Sequence, residues 1–86
     1  MINEAFCEVV FETINKQLET NDPIETKETV ARLINKGFSE EEAINLIANI
    51  LMIEFNYMFK TDQDFNMRRY ITYLKNLPEL PAVSID

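Results

Sequence analysis

The sequence predicts an all-α protein, a four-helix bundle with short connections, and three observations carry that expectation. Apolar residues recur at spacings of three and four, no run alternates with period two, and the one Gly and three Pro fall where the periodicity breaks. With 86 residues there is room for one compact domain, expected over residues 1–78. Residues 79–86, interrupted by Pro81, are expected to form an extended or disordered tail. Apolar residues make up 47% of the chain and charged residues 27%, enough hydrophobicity for a folded core.

The first helix is predicted from about Ile2 to Thr20, with Ile2, Phe6, Val9, Val10, Ile14 and Leu18 as its core stripe and Glu4, Glu8, Glu12 and Glu19 on the solvent side. Asn21-Asp22-Pro23 ends it and opens the second, with Asp22 as N-cap and Pro23 at the first helical position. That helix is expected to run to about Lys36 and to bury Ile24, Val30, Leu33 and Ile34, with Gly37 closing it. Ser39 and Glu42 form a capping box for a third helix reaching about Lys60. Its polar residues Asn45, Asn49, Asn56 and Lys60 fall on one narrow stripe, so the remainder must be covered and the helix central. Thr61, Asp62 and Asp64 offer caps for a fourth helix from about Asp64 to Leu77, whose stripe is Met67, Tyr70, Ile71, Leu74 and Leu77, before Pro78 stops it.

Composition excludes several classes of function. Eight basic against 15 acidic residues give a net charge of −7, which disfavours phosphate backbones and anionic lipids, so neither nucleic acid nor membrane is an expected partner. No stretch has the roughly 20 mainly apolar residues of a membrane span. The opening segment is acidic where a signal peptide would be basic, and the single Cys7 permits no internal disulfide, so a cytoplasmic location is expected. His is absent, and with it the usual general base and commonest metal ligand. No nucleophile elbow, Gly-rich phosphate loop or Glu-x-x-His di-iron set can be drawn, so no catalytic residue, metal site or cofactor is expected.

Glu54 is the most unusual position, because it lies nearly opposite the asparagine stripe, among Ile47, Ile50, Leu51 and Met58. A carboxylate there should be buried and needs a partner; Tyr70, Tyr73 and Arg69 are the candidates, and a structural contact is favoured over a tuned acid or metal ligand. Asp62, Asp64 and Asn66 match the start of a calcium loop, but Met67 and Tyr73 stand where Gly and Glu are required, which favours helix capping. Arg68 and Arg69 could hold an anion, although pairing with carboxylates is the simpler role. Cys7, beside Phe6, Val10 and Phe11, reads as an inert core cysteine. Nine aromatics and four Met exceed what so small an interior holds, so some should form a surface patch. Phe11, Tyr57 and Phe59 are its expected members.

Asn21-Asp22-Pro23, Thr29-Val30-Ala31-Arg32-Leu33, Gly37-Phe38-Ser39 with Glu42-Ala43-Ile44, and then Glu54, Phe65, Tyr70 and Leu74 resemble in their order a group of short bacterial all-helical proteins of unknown function. The resemblance spans roughly residues 15–77 and implies a cytoplasmic helical protein without an activity to carry over. A histidine often follows the Ala-Ile pair in that group, whereas this chain has Asn45. The segment Leu33 to Ala43 is also similar to the first loop of ubiquitin-associated domains, which implies a binding surface at Gly37 and Phe38. Together these features lead to a non-enzymatic module acting through protein contacts, as a homodimer or an accessory to another protein. A small-ligand or metal-binding bundle centred on Glu54 is the competing expectation.

Overall fold

The computed structural model describes residues 4–82. Its four helices are α1 (Glu4–Thr20), α2 (Ile24–Asn35), α3 (Glu40–Thr61) and α4 (Met67–Asn76), with no strand among the described residues. The expected first residue of α1, Ile2, and the tail beyond Ala82 lie outside them. α2 and α3 each pack against all the other helices, whereas α1 and α4 flank this central pair without packing on one another. The all-α bundle expected from the periodicity is therefore the observed fold.

α3 supplies the largest share of the core, burying Ala43, Ile47, Ala48, Ile50 and Leu51. Val10 and Ile14 of α1, Leu33 of α2, and Tyr70 and Leu74 of α4 with Leu77 complete it. Burial of each large aliphatic side chain contributes about 1.5–3 kcal/mol.

Four expected core residues are corrected. Val9 is 51% exposed, and Ile24 and Ile34 are each 44% exposed. The α1 stripe is Val10, Ile14 and Gln17, so Val9 falls one helical step, about 100°, off it. In α2 the buried stripe is Thr26, Thr29 and Leu33, with Val30 partly covered, and this rotation turns Ile24 and Ile34 outwards. Apolarity pointed at the isoleucines because the seam between α1 and α2 is partly polar. Met67 is also exposed, as the first residue of α4 at the rim of the bundle.

The turns are determined by local chemistry, and two differ from expectation. Pro23 itself occupies the N-cap of α2, in extended conformation, and no side chain caps that helix. Asp22 instead donates its backbone N–H to the Gln17 carbonyl at 3.2 Å, so it closes α1 rather than opening α2. Between α2 and α3, Gly37 has φ 108°; its N–H reaches the Ile34 carbonyl and that of Phe38 the Leu33 carbonyl, at 3.0 and 3.1 Å. This paired closure needs a left-handed residue, which glycine provides without a Cβ penalty. Ser39 then caps α3 reciprocally, its Oγ accepting from Glu42 N–H at 3.0 Å while its own N–H donates to the Glu42 carboxylate at 2.8 Å.

The cap of α4 is Asn66, whose side chain accepts from Arg69 N–H at 3.0 Å. Thr61 and Asp62 belong to the end of α3: Asp62, at φ 54°, donates to the Met58 carbonyl at 2.8 Å, and Thr61 donates to Tyr57. Asp64 lies in the exposed connection, so the fourth helix starts later than its acidic residues suggested. At the other end of α4, Arg32 donates to the Leu77 and Leu74 carbonyls at 2.7 and 2.9 Å. A guanidinium there satisfies carbonyls that the helix end leaves open and complements its negative dipole. Beyond Leu77 the chain turns through Glu79, without helix, to Ala82.

Candidate functional site

Glu54 lies on the covered face of α3 and is fully buried. Its partner is Arg69, one turn into α4, which donates from Nε to Oε2 at 2.7 Å and from Nη2 to Oε1 at 2.8 Å. Both carboxylate oxygens thus meet a planar fork, the geometry in which an ion pair best offsets the loss of hydration. The pairing holds the Arg69 guanidinium above its ordinary range, chiefly through the hydrogen bond to Glu54. The guanidinium also lies 4.2 Å from the centroid of the Tyr57 ring, one turn along α3 from Glu54. A cation over an aromatic face gains a further electrostatic contribution and loses rotamer freedom.

Beside this pair is a cleft of about 160 Å³. Ile53, Tyr57 and Tyr73 wall it, and Lys60 and Asn56 stand on its α3 side. The expected group of Glu54, Arg69, Tyr73 and Tyr70 is therefore corrected in one member. Tyr70 does not line the cleft and instead donates to Gln17 Oε1 of α1 at 2.8 Å. The same oxygen accepts from the Thr26 hydroxyl at 2.7 Å, so one buried amide ties α1, α2 and α4 together. Desolvation pushes the Tyr70 phenol up to about 12, and its hydrogen bonding with Thr26 and Gln17 only partly counters it. Among the described residues, every buried side-chain nitrogen and oxygen has a hydrogen-bond partner.

Gln17 and Thr26 were not singled out by sequence, although Gln17 continues the Val10 and Ile14 spacing and so sits where burial is expected. The sequence marks Tyr57 only as a member of a surface patch, because a cation over its ring depends on where α4 crosses α3.

The surface candidates do not form one patch. Phe11 and Phe38 are partly buried against the core, and Phe38 serves the closure of α2. Gly37 and Phe59 flank opposite ends of α3, a separation of about 30 Å at 1.5 Å per residue. Phe59 is 70% exposed and Tyr57 43%. Phe59 is the outer end of a series of ring contacts, meeting Phe6 at 6.1 Å, which meets Phe55 at 6.2 Å, then Phe65 and Tyr70 at 6.0 and 5.4 Å. An aromatic column runs from the core to the surface.

Of the calcium-like residues, Asp62 closes α3 and Asn66 caps α4, and among the described residues no group of three or more acidic, Cys or His side chains converges. Arg68 is exposed and Cys7 is partly buried and unpaired with another cysteine. Among the described residues no helix is long and apolar enough to cross a membrane. No family model matches the chain, and no curated protein or solved structure is significantly similar to it.

Proposed function

We propose that this chain is a non-enzymatic protein-interaction module that self-associates through the Tyr57 and Phe59 end of α3, in the cytoplasm. The observation that carries the reading is Phe59, a large ring left 70% exposed at the end of an aromatic column anchored in the core. Aromatic and arginine side chains on rigid supports are the types that dominate binding energy at protein contacts, and here Tyr57 is held by Arg69 and Phe59 by Phe6. A two-fold dimer is the simplest closed arrangement that would bury such an edge against itself.

The full occupancy of the Glu54 oxygens supports a structural role for that carboxylate. The use of Phe38 in the closure of α2 supports a turn role for the Gly37-Phe38 pair over peptide capture. Light scattering on a sizing column over a roughly hundredfold concentration range tests the proposal. A dimer that becomes monomeric in Phe59→Ser, with helical content unchanged, is the expected result. A monomer at every concentration would refute self-association.

A further inference from the structure

We propose that the cleft beside the Glu54 and Arg69 pair binds a short organic monocarboxylate. Its charge is the first argument. Lys60 and Arg69 face the cleft against the single carboxylate of Glu54, so its lining is net cationic in a chain of net charge −7. Arg69 directs two N–H groups at Glu54 and hydrogen-bonds Tyr57 as well, while a guanidinium carries five N–H groups, so these contacts do not use up its donors. Glu54 and Tyr57 hold that fork in place from two sides, and a ligand would meet a preorganised donor rather than a mobile one.

The walls are the second argument. Ile53 and the rings of Tyr57 and Tyr73 offer apolar surface, suited to a hydrocarbon body next to the charged group. A volume of about 160 Å³ restricts that body to a few carbon atoms. One surplus positive charge matches a singly charged carboxylate, whereas a phosphate dianion would be left under-neutralised and would place its oxygens against apolar walls. Tyr57 belongs both to the cleft wall and to the proposed dimer edge, whereas Phe59 does not line the cleft, so Phe59→Ser tests the dimer without altering this site.

The test is a titration of the intact chain with propionate, followed by backbone amide NMR shifts, with propionamide and inorganic phosphate titrated in parallel. The expected result is saturable shifts around residues 53–60, Arg69 and Tyr73 in the millimolar range for propionate, with none for propionamide. Lys60→Gln, an exposed position that should keep the remaining spectrum unchanged, should weaken propionate about tenfold. No saturable shift, equal binding of propionamide, tighter binding of phosphate, or unchanged affinity in Lys60→Gln would each overturn the proposal.

Discussion

Arg69 is bound on one edge by the Glu54 carboxylate and covered on one face by the Tyr57 ring. Replacing it by Met would strand a carboxylate that has no access to water, so Arg69→Met should lose about 3–5 kcal/mol of stability in urea unfolding. The double variant Glu54→Met with Arg69→Met should recover most of that loss; a double variant as unstable as the single would show that the charge pair is not the cause. Burial of Glu54 was legible, because its position opposite the asparagine stripe follows from helical geometry. The choice of Arg69 over Tyr70 was not, since one turn of α4 presents both and only the crossing of the helices decides which reaches Glu54. Tyr70 carries its own pH signature. Its phenol is pushed up to about 12 when folded, from an ordinary value of 10. The native state therefore holds its proton where the unfolded chain has lost it, and stability falls as pH rises from 10 towards 12, by about 1.4 kcal/mol per unit at most. Unfolding midpoints measured from pH 8 to 12 should show this decline, and Tyr70→Phe should flatten it.

The helices differ in how much of their definition is local. α3 begins with a reciprocal cap written within four residues, and its start was legible for that reason. Ser39→Ala should cost about 1 kcal/mol in urea unfolding, and an unchanged midpoint would mean that packing alone fixes the start of α3. α2 has no such cap, and its buried face includes two threonines, of which Thr26 donates to Gln17 of α1. A hydrophobic pattern cannot announce a buried threonine, because the hydroxyl is satisfied by Gln17, nine residues away in sequence but in another helix. α4 is short and owes its placement to groups at both ends, the Asn66 cap and the Arg32 guanidinium. Arg32 stands in a helix 42 residues before the Leu74 carbonyl that it meets, so nothing in the local sequence marks the contact.

At the scale of the whole molecule, α2 and α3 form the central pair and the first and last helices attach on either side. The bundle was legible from four amphipathic segments and their punctuation, but which two helices are diagonal was not, because short connections permit more than one arrangement. The same layout leaves the outer end of α3 open at Phe59, where the dimer is proposed. It also sets an order of assembly. The hydrogen bond from Tyr70 to Gln17 joins groups 53 residues apart and links directly two helices that otherwise do not pack together. It needs both flanks docked on the central pair, which predicts that it forms after the folding barrier. Stopped-flow measurements on Gln17→Leu should then show faster unfolding with a nearly unchanged folding rate; slowed folding would place that closure in the transition state. On this account a single buried amide acts as the latch that governs how long the folded state lasts rather than how quickly it is reached.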